Sequence, residues 1–424
     1  MKNIKIAIIG MGTVGGGIYQ LIEREQKNIE HKENIHIEVK KTLALSYAVD
    51  VPDALKAKDI DEIVSDPEIS IVAEVMGGVK PAKEFILKAL LAGKTVVSAN
   101  KDMISQNWPE LEAAAKKGRA GFYFEAAVGG GIPILRALND SMQANTINAV
   151  YGIINGTTNY ILTKMDDEGR DFDDVLKEAQ ALGYAEANPT SDVEGYDARY
   201  KLSILASMAF HARVPVDKIF CEGITKISKI DIEIGRELGY VVKLLAIGKK
   251  GENGEIEARV HPTMIPKDHA LASIKGSFNA IFIHGSAVGE MMWYGKGAGD
   301  FPTASALVSD MIYSINTPCH KYATFENEYS ADKVKFNNNW LTEYFVRTNV
   351  LDKPGVLAKI AGIFGKYDVS IESVIQKGAK DGETAAPLIL VTHKAHEKDL
   401  QKAIDEIKQI DAVIDVPSCI RVEK

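Results

Sequence analysis

The chain contains 424 residues, 46% of them hydrophobic and 25% charged, with a formal net charge of −8 at pH 7. This length exceeds what a single ordinary hydrophobic core organises, so two or three domains are expected. Acidic and basic residues are interspersed, which argues against nucleic acid and anionic membranes as partners, because both require basic patches. No stretch has the length and apolarity of a membrane span and the start lacks a secretory leader, so we expect a cytoplasmic location.

The first third of the sequence alternates short apolar strands with helices. Lys5–Ile9 predicts the first strand, and apolar residues at helical spacing from Val14 to Ile22 predict the helix after it. This alternation is typical of a parallel sheet, so we predict an α/β, Rossmann-type doubly wound domain over 1–135, to which a helix at 303–316 returns. The other predicted elements are strands Ile35–Leu45, Ile71–Met76 and Thr95–Ser98 and helices Pro81–Ala92 and Trp108–Lys117.

Residues 136–301 carry a different pattern. Alternating stretches, which include Ala149–Ile154, Glu255–His261 and Ala280–Gly285, predict strands of a mainly antiparallel sheet. We therefore predict an α+β domain here. Its predicted helices are Tyr160–Met165, Asp173–Leu182 and Tyr196–Phe210.

A polar stretch at 320–340 reads as a linker, and residues 341–424 then follow the order β-α-β-β-α-β. That order predicts a ferredoxin-like domain, with Asp352–Gly355 as the turn before its first helix. Its predicted elements are Leu341–Thr348, Val356–Tyr367, Val369–Ile375, Ala386–Thr392, Lys398–Ile407 and Ala412–Val422.

A glycine-rich turn joins the first strand to the first helix. Gly10, Gly12 and Gly15, with Thr13 and Val14 between them, fit the pattern G-x-G-x-x-G. In that pattern the glycines allow a tight turn, close approach of a pyrophosphate and close packing of helix on strand. The position favours dinucleotide binding over a glycine turn without a ligand.

The end of the second strand bears on the choice of cofactor. It reads Leu45-Ser46-Tyr47, without the carboxylate that binds the ribose 2′-hydroxyl of NAD. No arginine is present to hold a 2′-phosphate either, although Lys40 and Lys41 are near in sequence. NADP is slightly favoured, and NAD stays open.

Two groups of polar residues are candidates for catalysis. Asn100 and Lys101 follow a parallel strand, at the end where ligands of such sheets bind, although a solvated loop lysine is the simpler interpretation. Asp197 and Lys201 are four residues apart and share one face of a helix. A surface salt bridge would explain that pair. The following turns are strongly apolar, however, and a lysine on a buried helix needs a carboxylate or a cleft.

Three further loops offer polar or backbone groups. Thr157 lies between a strand and a helix, where Thr157 or Thr158 would also serve as a simple helix cap. The run Glu125–Pro133 combines a carboxylate with glycine carbonyls, which suit a hard cation but also a plain tight turn. The loop around Gly299 would bring backbone close to a nicotinamide or act as a hinge.

Taken together, these segments resemble the homoserine dehydrogenase family over nearly the whole chain. The C-terminal unit, with Asp352-Lys-Pro-Gly-Val-Leu357, looks like an ACT domain, a small-molecule regulatory module. Each motif alone has modest specificity, whereas their order along one chain is highly specific. The motifs are the glycine turn, Ser98–Lys101, Glu125–Pro133, Gly152–Tyr160, Gly183–Lys201 and Gly297–Gly299.

The resemblance implies the reversible NAD(P)H-dependent reduction of L-aspartate 4-semialdehyde to L-homoserine, in threonine, isoleucine and methionine biosynthesis. It implies that Lys201 is the general acid and base, with Lys101 as a second active-site lysine. The middle domain would then serve catalysis and oligomerisation. The matched substrate-binding residues are Glu186, Asp192, Asp197, Thr157 and Tyr184; the cofactor-binding residues are Gly10, Gly12, Thr13, Val14, Gly15, Asn100, Lys101, Gly183 and Gly299; the sodium ligands are Glu125, Val128, Gly130 and Ile132.

The resemblance also implies regulation and assembly. ACT units pair across subunits, so a homodimer or homotetramer is expected, with threonine as the feedback ligand near Asp352–Leu357. Two other functions remain open: a related dehydrogenase of another small amino-acid aldehyde, and an amino-acid sensor with an inactive dehydrogenase-like scaffold. Retention of Lys101, Asp197, Lys201 and Glu186 counts against the sensor.

Overall fold

The computed structural model describes residues 1–317, 320–322, 325, 334–376 and 385–424, so parts of the predicted linker at 320–340 lie outside the described residues. The chain divides into two compact units. The first unit contains Met1–Ile154, Asp197–Ile219 and Phe278–Val334, and the second contains Asn155–Tyr196, Phe220–Ser277 and Lys335–Lys424.

The elements alternate along the chain as follows. The helices are α1 (Thr13–Glu33), α2 (Ile60–Val64), α3 (Ala82–Leu91), α4 (Lys101–Gly118), α5 (Gly156–Glu168), α6 (Phe172–Ala181), α7 (Thr190–Val193), α8 (Tyr196–Phe210), α9 (Lys229–Glu237), α10 (Asp300–Asn316), α11 (Val356–Lys366) and α12 (Glu397–Ile407). The strands are β1 (Lys2–Met11), β2 (Ile35–Tyr47), β3 (Ile69–Glu74), β4 (Thr95–Ser98), β5 (Phe122–Tyr123), β6 (Ile147–Ile153), β7 (Phe220–Cys221), β8 (Tyr240–Lys250), β9 (Ile256–Pro266), β10 (Phe278–Gly285), β11 (Gly289–Lys296), β12 (Leu341–Leu351), β13 (Ile371–Gln376), β14 (Ala385–Thr392), β15 (Ala395–His396) and β16 (Val413–Val422).

The first unit is built on a parallel sheet of order β2-β1-β3-β4-β5. Its central strands are apolar on both faces because helices cover both sides, as expected for parallel sheets. Helix α10 packs on α1, and its Leu307 and Met311 share one buried core with Ile6 and Ile8 of β1. The same unit holds the antiparallel strands β6, β10 and β11, with β10 between the other two.

The second unit is built on strands in the order β8-β9-β16-β12-β14-β13. The ferredoxin-like order β12-α11-β13-β14-α12-β16 is confirmed, and helices α11 and α12 bury Phe364 and Leu400 against this sheet. Strand β16 pairs on one side with β12 and on the other, in parallel, with β9, through Arg421 opposite Thr263. The ACT-like strands therefore continue into the strands of residues 240–266.

The predicted fold class is confirmed, while several element boundaries differ. Helix α4 begins at Lys101, well before the predicted Trp108, because Asn100 caps it, and the helix continues through Pro109. The sequence analysis did not name β8 or β11 as strands, although both are long. Within the predicted linker, the described residues Phe325 and Trp340 are buried.

Candidate active site

The glycine turn combines two glycines required by packing with one that is not. A Cβ atom on Gly10, whose φ is +94°, would lie 2.7 Å from the Val75 carbonyl oxygen, and one on Gly15 would lie 1.9 Å from the Gly10 carbonyl oxygen. A Cβ atom on Gly12 would meet nothing within 4 Å. Packing explains the first two glycines, whereas the open space at Gly12, where α1 begins with Thr13, suits the close approach of a ligand.

The start of α1 is electrostatically prepared for an anion. Its first turn contains no acidic residue, so the positive end of the helix dipole is not neutralised by the helix itself. Gly299, with a φ of +122°, precedes α10, and a Cβ atom on Gly17 would lie 3.0 Å from the Asp300 carbonyl oxygen. The start of α10, directly after Gly299, therefore lies against α1.

A basic residue that was not predicted, Lys56, lies beside the end of β2. The Lys56 ammonium lies 5.1 Å from the centroid of the Tyr47 ring and 2.7 Å from an Asp53 carboxylate oxygen. Lys40 and Lys41, which the sequence analysis noted, are instead paired with carboxylates of Asp66, Glu68 and Glu62. Lys56 was missed because it comes after β2 and reaches Tyr47 only through the turn of the chain.

Two lysines share one carboxylate at the starts of α4 and α8. Lys201 Nζ lies 2.6 Å from Asp197 Oδ2, and Lys101 Nζ lies 3.3 Å from Asp197 Oδ1. Lys201 also donates to the Ile154 carbonyl oxygen at 2.8 Å. The side chains of Lys201, Asp197 and Lys101 are 12%, 10% and 31% exposed, so the cluster is neither a solvated surface pair nor a sealed core.

Asn100 is fixed from both ends of its side chain. Its Oδ1 accepts from Met103 N–H and so caps α4, while its Nδ2 donates to the Gly78 carbonyl oxygen and to Glu74 Oε1. Glu74 is the second residue that the sequence analysis missed. A carboxylate inside the apolar run Ile71–Met76 was the available signal, because a buried charge in a strand is costly unless it is bonded.

The predicted substrate residues of the second unit lie around the start of α5. Asn155 caps that helix, so the alternative of a cap supplied by Thr157 or Thr158 is wrong. The Asn155 amide donates to Asp192 Oδ1 at 2.7 Å, and Thr157 Oγ1 donates to the Tyr184 carbonyl oxygen at 2.6 Å. Thus Asp192, Thr157 and Tyr184 are brought together.

Two other predicted residues of that unit are exposed. Gly183 has a φ of +77°, and a Cβ atom there would meet nothing within 4 Å. Glu186 is exposed, and its main-chain carbonyl, not its carboxylate, accepts from Gln180 Nε2. The described contacts do not tie Glu186 to the start of α5.

The predicted cation loop has a carboxylate that is already engaged. Both oxygens of Glu125 accept backbone N–H groups, from Leu135 at 2.8 Å and from Arg136 at 2.7 Å. Burial raises the pKa of Glu125 to about 7 and that of Asp310, which accepts from Glu125 N–H and pairs with Arg136, to about 6. The Glu125 carboxylate is therefore held by the backbone through one hydrogen bond to each oxygen, and the carbonyls of Val128, Gly130 and Ile132 are further oxygen atoms in the same loop.

The described part of the chain contains neither a clustered metal site of side chains nor a helix that could span a membrane. Among those residues, no group of three or more His, Cys, Asp or Glu side chains is arranged to hold a metal ion. No helix among them is long and apolar enough to cross a membrane.

Comparison with known proteins follows the same division of the chain. The family model for the NAD-binding domain of homoserine dehydrogenase matches residues 10–125, that for homoserine dehydrogenase matches 133–312, and that for the ACT domain matches 344–412. A homoserine dehydrogenase of Synechocystis sp. is 42% identical over 432 residues, covering 99% of each chain.

Solved structures agree. The crystal structure of a homoserine dehydrogenase from Thiobacillus denitrificans has a TM-score of 0.92 and 40% identity, covering 100% of this chain and 99% of that one. A hyperthermophilic archaeal homoserine dehydrogenase in complex with NADPH has a TM-score of 0.64 and 27% identity, covering 75% of this chain and all of the other. The resemblance in the motifs is thereby confirmed: the chain belongs to the homoserine dehydrogenase family of oxidoreductases and ends in an ACT domain.

Proposed function

We propose that the chain reversibly reduces L-aspartate 4-semialdehyde to L-homoserine, within threonine, isoleucine and methionine biosynthesis. The observation that carries this proposal is the single carboxylate of Asp197 between the ammonium groups of Lys101 and Lys201. A carbonyl reduction needs a proton donor and positive charge where an alkoxide develops, and two lysines oriented by one carboxylate supply both.

The first unit would hold the cofactor. The open space at Gly12 and the N–H groups at the start of α1 suit a pyrophosphate. When bound, the reduced nicotinamide supplies the hydride. We propose NADP as the preferred cofactor because Lys56 lies beside Tyr47 at the end of β2, where a 2′-phosphate is recognised in this fold.

Lys201 is the proposed general acid in reduction and general base in oxidation. An ammonium has three N–H bonds, and Lys201 directs two of them to Ile154 and Asp197. The third is left for a substrate oxygen. Lys101 adds a second positive charge that stabilises the alkoxide, and Asp197 holds both ammonium groups in position.

The substrate ammonium group is assigned to carboxylates by the motif match. Glu186 and Asp192 are the proposed partners, and the amide of Asn155 orients Asp192. Asp197, which the same match also assigns to substrate, is already paired with two lysines. We therefore propose that it acts mainly by orienting them.

A monovalent cation is proposed at the loop that contains Glu125. The proposed oxygen donors are Glu125, whose carboxylate also accepts two backbone N–H groups, and the carbonyls of Val128, Gly130 and Ile132. Such oxygens suit a hard cation. Ile132 also shares its carbonyl oxygen with Ile134 N–H at 2.9 Å.

Regulation by threonine is proposed at the loop Asp352–Leu357. Gly355, with a φ of +86°, precedes α11, and Leu357 is 37% exposed. Titration of threonine against activity tests this, with Asp352→Ala expected to weaken inhibition and not basal turnover. A truncation near Asn338 is a poor control, because it would remove β16, which pairs with β9.

A homodimer or homotetramer is proposed from the exposed strand edges. Strand β11 ends one row of strands and exposes Met292 and Tyr294, by 39% and 54%. Unpaired edges with apolar side chains favour association. Light scattering during size-exclusion chromatography measures the mass, and a monomer at micromolar concentration would contradict the proposal.

The activity itself is tested by following reduced nicotinamide with homoserine and either NADP or NAD. Turnover with homoserine, and little with other small amino-acid alcohols, is expected. Preference for another alcohol would favour the related-dehydrogenase alternative. No oxidation of homoserine with either cofactor would favour a sensor with an inactive scaffold.

A further inference from the structure

We propose that Glu74 is a positioning residue, which holds Asn100 and the start of α4 so that Lys101 stands beside Asp197. The inference rests on the proposed function. Glu74 ends β3, is fully buried and lies next to Ile9 of β1, directly before the glycine turn.

The Glu74 carboxylate is surrounded by hydrogen-bond donors. Ser98 Oγ donates to Oε2 at 2.7 Å, and Met76 N–H and Asn100 Nδ2 donate to Oε1 at 2.9 and 3.3 Å. The backbone N–H of Gly77 is a further donor. Within the described chain Glu74 forms no ion pair, so hydroxyl, amide and backbone groups alone stabilise a buried carboxyl group.

A buried acid of this kind is unfavourable for stability alone. Burial raises the pKa of Glu74, although the surrounding donors oppose that shift. An apolar residue at this position would avoid the desolvation cost of the carboxyl group, but it would leave the donors on Ser98, Met76 and Asn100 without their acceptor. The benefit of the carboxylate must come from the groups that it orients.

Those groups lead directly to the catalytic lysine. Asn100 caps α4 through Met103 N–H, and Ser98 Oγ accepts from Asn100 N–H at 3.0 Å. Glu74 therefore holds the side chain of Asn100 directly, and it holds the backbone N–H of Asn100 through Ser98. Lys101 is the first residue of the capped helix, and its ammonium lies 3.3 Å from Asp197 Oδ1.

The same carboxylate also orders the segment under the glycine turn. It binds Met76 and Gly77, and Gly77 and Gly78 have φ values of +76° and +70°. Asn100 Nδ2 holds the Gly78 carbonyl oxygen at 2.7 Å. One buried group thus connects the backbone beside the cofactor-binding turn with the helix that carries Lys101.

Glu74→Gln is the variant that separates positioning from stability. The amide keeps the shape but presents an NH₂ donor where the site supplies donors, so the hydrogen bond that Ser98 Oγ or Asn100 Nδ2 donates to that position is lost. We expect kcat for homoserine oxidation to fall about tenfold to a hundredfold, as small misplacements at active sites do. The KM for homoserine is expected to change by less than about threefold, so that the loss lies in kcat. Glu112→Gln is the matched control, because Glu112 is a buried carboxyl group later in α4.

A double-mutant cycle with Lys101→Met decides whether the effect passes through Lys101. If Glu74 acts by positioning Lys101, Glu74→Gln should lower kcat little further in the Lys101→Met background. An equal fall in both backgrounds, or a single variant within twofold of the parent, overturns the inference. If Glu74→Gln does not fold, Ser98→Ala takes its place in the same cycle, since it removes the link between Glu74 and the Asn100 backbone. An inactive parent enzyme would contradict the proposed function itself. That result differs from the two results that would overturn the role of Glu74.

Discussion

Two clusters of charge in this chain are built from similar groups and differ in how completely they are satisfied. In the first unit Asp197 lies between Lys101 and Lys201, and all three side chains are partly exposed. In the second unit Asp231 is fully buried and binds Arg347 through both oxygens, at 2.7 and 3.1 Å.

The second cluster has no capacity left for a ligand. Ser228 and Ser418 each donate to Asp231 at 2.6 Å, so every carboxylate oxygen has at least two donors. Asp231, Arg347 and Ser418 come from α9, β12 and β16, and the cluster fastens the ACT strands to residues 228–237. Lys201, by contrast, directs only two of its three N–H bonds, to Ile154 and Asp197, within the described part of the chain. We interpret the Asp231 cluster, in which every carboxylate oxygen is hydrogen-bonded, as structural. The Asp197 cluster, which keeps an unused donor on Lys201 among the described residues, is the proposed catalytic one.

Removal of the chemical lysine should have the largest effect. Lys201→Met is expected to lower kcat for homoserine oxidation about 10²–10⁴-fold, because a positioned acid or base contributes that much. The free energy of unfolding in urea should change little. Lys164→Met, which breaks a surface pair with Glu168, serves as control. A Lys201→Met enzyme with near-parental turnover would remove Lys201 from the mechanism.

Removal of the structural arginine should have the opposite profile. Arg347→Met leaves the Asp231 charge buried without its partner, which costs about 3–5 kcal/mol of unfolding free energy. Turnover of the protein that remains folded should stay near the parental value. Lys366→Met, which breaks an exposed pair with Glu406, should leave the urea midpoint unchanged. Equal urea midpoints for Arg347→Met and Lys366→Met would contradict a stabilising role for the buried pair of Arg347 with Asp231.

The exposed pair of Lys56 with Asp53 tests whether an ion-paired surface lysine can still bind the 2′-phosphate of NADP. Lys56→Glu is expected to shift the ratio of kcat/KM for NADPH over NADH toward NADH by about tenfold, the effect of one lost charge-assisted contact. Stability should not change, because the pair of Lys56 with Asp53 is exposed. An unchanged ratio would show that Lys56 does not recognise the 2′-phosphate.

Lowering the pH should reduce, by a small amount, the stability that the Asp231 cluster contributes. Burial raises the pKa of Asp231, but Arg347 and the serines outweigh burial, so the pKa lies below its usual 3.8. The stabilisation is present above that usual value and is lost as the pH falls toward the lower folded value. Urea midpoints in this acid range should therefore decline more steeply for the parent than for Asp231→Asn. Parallel declines would contradict the assignment.

Much of the fold could be predicted from local pattern. Alternation of strands and helices gave the parallel sheet, and the β-α-β-β-α-β order gave the ACT-like domain. Helix α4 was predicted too short, because Pro109 inside it and polar residues before it obscure the pattern that Asn100 begins. Strand β8 was not named, since its buried run is as compatible with a helix as with a strand.

The sequence predicted which residues belong to the candidate site but not which of them contact one another over long sequence distances. The spacing of Asp197 and Lys201 is local, so their contact followed from helix geometry. The contact of Asp197 with Lys101, the role of Glu74 and the approach of Lys56 to Tyr47 all join residues that are distant in sequence. Such contacts depend on how strands are ordered in the sheet, which local pattern does not specify.

The parallel pairing of β16 with β9 has a consequence for how the second unit folds. Arg421 and Thr263 are far apart in the sequence, so their pairing closes a very long loop and cannot be an early event. The strand pairs inside the β-α-β-β-α-β domain, such as β12 with β16, join residues that are closer in sequence than Arg421 and Thr263, so this domain can assemble first. Strand β16 of that domain is then already formed when it pairs with β9, so the second unit is completed only after the ACT domain has folded.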